Sequence, residues 1–443
     1  MNQNNERFSR RSWLVLVLFG LVGQIAWSVE NMYFNVFVYN TIAKDLEAIT
    51  LMVQLSGVMA TVATLIAGTL SDKLGHRRRF ISIGYAIWGV TVALFGFISP
   101  ELVTALFATN GAQAVSIALV AVIVGDCVMT LFGSTANDAA FNAWVTDNTR
   151  PSFRGMVEGV VAILPLVAML IVAGGFGILV SSFGYSMVFL VLGIVISICG
   201  VVGIFIIRDS ERLTPNGGFR DIFYGFRPSV VRENPSLYIT LLCVMVYSIG
   251  AQIFMPYLII YMESSLGFSV IEYSVVFGGA IAVGAVVNVF LGRLSDRLDK
   301  TGLLYIAASV MGVGLIAMYF AKGMGHIANL ALFGVFGCVM ITGYIFVTAL
   351  TGSIVRDYTP VADTGKLQGV RMIFSVLIPM IVGPMIGNGI NRSMGELIEN
   401  PGETAMTTEY VPAPEIFLVA GIVTLLLLAL VPWLRASIRK RAA

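Results

Sequence analysis

Twelve apolar runs, most of them about 20 residues or longer, follow one another along the chain. They lie near residues 12–40, 47–70, 80–99, 114–146, 155–180, 185–207, 238–262, 272–291, 303–321, 327–355, 367–392 and 414–434. A helix of that length crosses the ~30 Å hydrocarbon core of a bilayer. Within that core, a helix satisfies its backbone hydrogen bonds internally. The expected fold class is therefore an all-α polytopic membrane protein with 12 transmembrane helices. Composition enters as a check: 57% of the 443 residues are hydrophobic and 12% are charged. That is about half the charged share of a soluble chain, too little to cover a water-facing surface.

The first run follows Arg10 and Arg11 as a secretory leader would. It is too long for one, carries Glu30 and lacks a small-residue cleavage pattern, so it is read as a span. Placing the N-terminus in the cytoplasm and alternating puts 24 of the 27 Lys and Arg on the cytoplasmic side. Only Lys44, Lys322 and Arg392 fall outside. This asymmetry supports an even number of spans, with both termini cytoplasmic in a multi-pass protein of the cell membrane. The longest polar interval runs from Arg208 to Pro235. It divides the chain into an N-terminal six-helix bundle (1–207), a cytoplasmic connector (208–237) and a C-terminal six-helix bundle (238–443). Phe219, Phe223, Tyr224 and Phe226 alternate there with basic residues, which suits short amphipathic pieces lying on the membrane.

Little in the chain suggests enzymatic chemistry. Cys127, Cys199, Cys243 and Cys338 are scattered through apolar blocks as small hydrophobes. The two histidines, His76 and His326, fall in predicted loops. No metal-protease, nucleotide-loop or nucleophile–base motif can be assembled, and no cofactor or metal is expected beyond a coupling proton or sodium ion. The expected partners are a small-molecule substrate and membrane lipid, without nucleic acid, and the chain is expected to work as a monomer.

The two halves echo each other. Gly68-Thr-Leu-Ser-Asp72-Lys-Leu-Gly75-His-Arg77-Arg78-Arg79 follows span 2, and Gly292-Arg-Leu-Ser-Asp296-Arg-Leu-Asp299-Lys300 follows span 8. Asp147 to Gly159, through Arg154, and Asp357 to Gly369 follow spans 4 and 10 at equal length. Spans 1 and 7 each carry a mid-helix glutamine, Gln24 and Gln252. Three matches in one order indicate a duplicated six-helix unit.

The stretch Gly68 to Arg79 resembles the loop signature of the major facilitator superfamily. That resemblance implies two pseudo-symmetric six-helix bundles with a substrate site between them. It also implies a cytoplasmic gate, here Gly68, Asp72, Gly75, Arg77, Arg78, Asp147, Arg154 and Asp296. The second copy carries Asp299 where the signature wants glycine. Independently of the family, Gly75 permits a tight turn, Asp72 can accept from a basic neighbour or a helix N-terminus, and the arginines suit the headgroup layer.

Ionisable groups deep in a span are costly and by default functional. Three acids qualify: Glu30 in span 1, and Asp126 and Asp138 in span 4. They are the expected proton- or cation-coupling residues, Glu30 and Asp138 foremost, against the plainer reading of protonated packing acids. On α-helical spacing Gln24, Trp27, Asn31, Phe34 and Asn35 share one face bordered by Glu30. Ser134, Asp138 and Asn142 likewise stack on span 4, beside a strip of Asp126, Thr130 and Asn137.

The second half offers Tyr247, Gln252, Tyr257, Asn288, Thr342, Tyr344, Thr348, Asn388 and Asn391, and no central acid. Amides, hydroxyls and aromatics suit a neutral, polyhydroxylated substrate. The substrate-binding set read from both halves is Gln24, Trp27, Asn31, Asn35, Asn142, Tyr247, Gln252, Tyr257, Thr342, Tyr344 and Asn388. The alternative for many of these residues is ordinary interhelical bonding. Gly155-x-x-x-Gly159 and Gly365-x-x-x-Gly369 suit close helix packing or, alternatively, a sliding gate. Pro165, Pro256, Pro379 and Pro384 are expected to bend their helices.

Acids in spans 1 and 4, and the stretch Asn142-Ala-Trp144-Val-Thr-Asp147 through Arg154, resemble the glycoside-pentoside-hexuronide cation symporters and sucrose-proton carriers. The implied function is secondary active transport, with proton symport of a neutral sugar or glycoside. The alternatives are a proton-coupled exporter of lipophilic drugs and, more remotely, a receptor without transport. Span 5 reads Ala162-Ile-Leu-Pro165-Leu-Val-Ala-Met and lacks the G-P-x-x-G-G run of drug-proton antiporters.

Overall fold

The computed structural model describes residues 9–109, 111–149, 154–210, 219–295, 298–360, 364–397 and 410–442. Among these residues, eleven helices have the length and hydropathy to cross a membrane: α1 (Arg10–Ile42), α2 (Leu46–Leu74), α4 (Gly111–Asn148), α5 (Gly159–Phe183), α6 (Tyr185–Ile206), α7 (Pro235–Ser265), α8 (Val270–Leu291), α9 (Lys300–Tyr319), α10 (His326–Tyr358), α11 (Leu367–Met394) and α12 (Glu415–Lys440). A twelfth span is made if α3 (Arg77–Phe95), which begins with three arginines, and the short helix Pro100–Phe107, into which it turns by 88°, are taken together. The protein is a multi-pass, all-helical membrane protein, as the apolar runs imply. The apolar runs do not reveal the short helix. Ser99 caps it, its Val103 is buried, and Leu106 and Phe107 are exposed.

Helix ends follow local chemistry. Asp45 caps α2 by accepting from the Glu47 and Ala48 N–H groups at 2.9 and 3.0 Å. Gly75 closes α2 at φ 64°, a left-handed position that a side chain would strain. Asp299 caps α9 by accepting from the Thr301 N–H at 3.1 Å and pairs with Arg435 at 3.4 Å. Burial opposes ionisation of Asp299, but the Thr301 bonds and Arg435 outweigh it and hold its carboxyl below the usual range. Asp299 thus acts as a cap where the loop signature has glycine.

The packing repeats. α1 lies on α5, α2 on α4 and α3 on α6; in the second half α7 lies on α11, α8 on α10 and α9 on α12. The sharpest expression of this is a pair of glycine crossings. A Cβ at Gly193 of α6 would stand 2.3 Å from the Gly89 oxygen of α3, and one at Gly421 of α12 would stand 2.8 Å from the Gly312 oxygen of α9. Small residues at such crossings let backbones touch, and dispersion then replaces the hydrophobic drive that lipid cannot supply. At Gly155-x-x-x-Gly159 the close approach is not seen at Gly159, where nothing among the described residues lies within 4 Å of a Cβ.

The halves meet along α1–α7, α2–α11 and α5–α8. Gly174 of α5 and Gly278 of α8 approach to backbone contact, as do Gly57 of α2 and Met380 of α11 through its side chain. Side-chain bonds also cross between the halves. Tyr39 donates to the Tyr410 carbonyl at 3.4 Å and Asn40 to Glu263 at 3.1 Å; Thr50 and Tyr257 share a 2.6 Å bond, and Gln54 donates to the Ile381 carbonyl at 3.0 Å. All four lie toward the far face, opposite the basic face that carries the Ser71–Arg79 loop. Pro256 sits in a single 3-10 turn, Met255–Tyr257, that interrupts α7. Of the connector, the turn Phe219–Phe226 and the helix Pro228–Glu233 are described. They expose Phe223 and Phe226 and press Gly225 against Leu367 and Val370.

Candidate functional site

The three acids sort themselves by helix geometry. α1 departs from α-helical form at Glu30, where a π-helical turn runs to Phe34. In α4 a longer π-helical stretch covers Ser134–Phe141. Such a turn inserts one residue into the ladder, rotating everything beyond it by about 100°.

Glu30 is 8% exposed. Its Oε1 accepts from Ser56 Oγ of α2 at 3.1 Å and from Thr130 Oγ1 of α4 at 3.0 Å, and the two hydroxyls lie 2.8 Å apart. Asp126, one turn before Thr130 on α4, is 2% exposed. Glu30 Oε2 and Asp126 Oδ1 are buried without a hydrogen-bond partner. Glu30 is thus tied to α4 through Thr130, four residues from Asp126 and eight from Asp138. Asp138 lies further on, within the π-helical stretch of α4 that begins at Ser134. Ser56 was missed in the sequence, where a lone serine in a small-residue stretch of α2 looks like packing.

The π turns also correct the side-chain stripes. Phe34 is rotated off the Gln24 face and stacks on Phe95, ring centroids 4.0 Å apart. Asn35 is buried and donates to the Asn31 carbonyl at 3.2 Å, away from any substrate-facing position. Asn137 leaves the Asp126 strip to donate to the Tyr85 hydroxyl at 2.6 Å. Ser134 is fully buried while Asn142, two turns on, is exposed, so they do not share a stripe.

Gln24 and Trp27 are half-buried, and Asn31 and Asn142 are exposed. Exposed amides at that depth fit an aqueous interior better than lipid. In the second half Gln252, Thr342, Tyr344 and Asn388 are half-buried, and Tyr247 packs edge-on against Tyr344 at 6.3 Å. Tyr257 is wholly buried: its hydroxyl bonds Thr50 and donates to the Pro384 carbonyl at 3.1 Å. It therefore fastens helices in this conformation rather than facing a ligand. Asn391 is likewise buried and accepts from the Ala413 N–H.

At the basic face, Arg77 is the hub. Its guanidinium is buried, pairs with Asp72, donates to Asp147 Oδ2 at 3.0 Å and reaches Ser71 Oγ at 2.5 Å. The start of α3 is thereby tied to the end of α4. The second half repeats the tie with Lys300, which opens α9 and pairs with Asp357 of α10 at 2.5 Å. Arg78 takes part through its backbone N–H, donating to Asp209 at 2.7 Å. A Cβ at Gly68 would stand 4.0 Å from that of Ala139, an ordinary contact. Asp296 and the Arg154 side chain lie outside the described residues.

Removing Arg77 strands two carboxylates, one of them partly buried. Arg77→Ala is expected to cost about 2–4 kcal/mol, between the limits for exposed and buried pairs. Thermal unfolding in detergent measures it, and an unchanged midpoint would discount the hub.

The Major Facilitator Superfamily model matches residues 13–384 and 240–442. Among solved structures, a mutant form of the nucleoside transporter NupG is similar, with a TM-score of 0.69 and 11% identity over 95% of this chain and 99% of that one. A bacterial homologue of the human lysosomal transporter Spinster, in an inward-facing and occupied conformation, has a TM-score of 0.66 and 14% identity over 96% of both chains. No curated protein matches the sequence. At these identities the structural likeness is one of fold.

Proposed function

The chain belongs to the major facilitator superfamily, and from that premise we propose that it is a proton-coupled symporter importing a neutral sugar or glycoside by alternating access. The family makes it a transporter rather than an enzyme. The observation that carries the finer reading is the buried acid group Glu30–Asp126, with Asp138 nearby, set in one half among hydroxyls and, among the described residues, without a basic partner. Such a group favours an incoming cation, and binding one changes its charge, which is what coupling requires. Around it, Gln24, Trp27, Asn31, Asn142, Gln252, Tyr344 and Asn388 supply amides and ring faces without a fixed charge. This chemistry suits hydroxyl groups and sugar C–H surfaces.

The cross-half bonds gathered at the far face support an inward-facing state in which Tyr39, Asn40, Thr50 and Gln54 close the outside. The basic face is the cytoplasmic one on this reading, following the distribution of Lys and Arg, and the protein sits in the cell membrane as a monomer. The ion-pair hubs on Arg77 and Lys300 then stiffen each bundle so that it rocks as a unit.

The test is a pH-dye assay in right-side-out proteoliposomes. Mono- and disaccharides are added singly, then nucleosides (the solute named for NupG), then lipophilic cations. Sugar-induced acidification of the lumen is expected. Silence with sugars and proton movement with the cations would replace import by drug export.

A further inference from the structure

We propose that the cytoplasmic rim of the second half is a binding surface for anionic phospholipid, with Trp433, Arg439 and Lys440 of α12 and Phe223, Phe226 and Arg227 of the connector as its contacts. The inference goes beyond the transport reading and takes from it only the side of the membrane.

Between Glu415 and Arg435, α12 carries 19 residues without an ionisable side chain, 416–434. At ~1.5 Å per residue they span ~29 Å, close to the ~30 Å of the hydrocarbon core. Trp433 therefore falls at the boundary and Arg435–Lys440 among the headgroups. This end of the helix is held from behind. Leu434 and Ile438 pack with Val230 and Leu237 around one apolar cluster, Ser437 shares a 2.8 Å bond with Ser236, and Arg435 pairs with Asp299 at 3.4 Å. What α12 turns outward is Trp433, 67% exposed, with Arg439 and Lys440. Trp433 and Lys440 are seven residues apart and so share a helical face. Neither cation makes an ion pair among the described residues.

The connector continues the rim. Val230 lies in the same cluster and Tyr224 packs against it, while Phe223, Phe226 and Arg227 are exposed. Arg227 stands over the Tyr224 ring, 5.4 Å from its centroid, which keeps its charge beside the two phenylalanines. Glu233 is the exposed acid of the adjoining helix.

Aromatic rings lodge at headgroup depth, and cations beside them attract anionic headgroups. Cations placed only to orient the chain need neither an exposed ring beside them nor a helix fastened from behind. A phosphate free in water would satisfy the cations but leave Trp433, Phe223 and Phe226 facing water, an arrangement that costs free energy. A lipid satisfies both.

Tryptophan quenching in nanodiscs tests this on the full chain, whichever way transport runs. Phosphatidylglycerol or phosphatidylcholine, brominated near the headgroup end of its chains, is titrated into plain phosphatidylcholine. The Trp433 signal is the difference between wild type and Trp433→Phe. Half-quenching by the anionic lipid is expected at a mole fraction about fivefold lower than by the neutral one, the worth of one cation near the surface, or lower still. Arg439→Gln with Lys440→Gln brings the two midpoints together, and Arg439→Lys with Lys440→Arg restores the gap. Phe223→Trp on the Trp433→Phe background is expected to report the same preference, weakened by Arg227→Gln.

Equal midpoints in wild type would make Trp433 an ordinary contact of the lipid annulus and overturn the proposal. A preference that survives the two glutamine substitutions would overturn it too, because charge would not be selecting the lipid. If inorganic phosphate at constant ionic strength abolishes the preference, the cations hold a free anion instead. Absence of quenching by either lipid would leave the rim in water, a surface for a soluble partner and not for lipid.

Discussion

Glu30→Gln is expected to abolish accumulation against a gradient while leaving substrate exchange intact. Gln is isosteric, and its amide oxygen can still accept from Ser56 and Thr130 at the distances Glu30 uses, 3.1 and 3.0 Å. Its NH2 group stands where the protonated acid would carry its O–H, so the variant imitates the protonated form and cannot lose that proton. The variant therefore keeps the loaded form and its conformational exchange but loses the empty charged form, which drives uphill transport. One pH unit is worth 1.36 kcal/mol, so coupling one proton per substrate lets wild type concentrate substrate about tenfold for each unit of gradient. The variant should reach an accumulation ratio of about one, with counterflow rates within about twofold of wild type. Radiolabelled uptake with and without an imposed gradient reads both quantities. Normal accumulation in the variant would remove Glu30 from coupling.

Gly193→Leu carries the second large effect, on folding. A Cβ at Gly193 would stand 2.3 Å from the Gly89 oxygen and 2.6 Å from the Ala93 nitrogen. Both obstacles are backbone, so no rotamer change relieves them, and α3 and α6 would have to separate along their whole crossing. Gly193→Ala is expected to cost about 1–3 kcal/mol, the usual range for overpacking, and the larger leucine to leave no monodisperse protein. Gly421→Ala at the duplicate crossing should cost a similar amount. Gly159→Ala, with nothing within 4 Å, should stay within about 0.5 kcal/mol of wild type. Fluorescence-detected size exclusion after heating ranks all four. Equal stability of Gly193→Ala and Gly159→Ala would show that the crossing is not where the bundle is held.

Not all glycine patterns were equally informative. The G-x-x-x-G spacing at Gly155 and Gly159 reads as a contact and is open at Gly159, whereas the crossings at Gly89–Gly193 and Gly312–Gly421 join helices far apart in sequence. Spacing within one helix says that a close approach is possible. It says nothing about which partner arrives, because the partner lies on another helix.

The same division runs through the candidate site. Residue types alone determined the series of apolar spans, the inventory of three deep acids and the duplicated loops, the first two because polar groups are costly in hydrocarbon. The Gly75 turn was legible for a similar local reason, a backbone angle that side chains avoid. Which hydroxyls meet Glu30 was not legible. α-Helical spacing puts Phe34 and Asn35 on the Gln24 face, and the π turn at Glu30 rotates them away. Ser56 became a ligand of Glu30 only when α2 was laid between α1 and α4. Tyr257 turned from a binding candidate into a clasp only when it met Thr50 from the other half. A sequence read on α-helical spacing records the cost of each buried group, and the contacts that offset that cost arise across helices, where tertiary packing alone decides them.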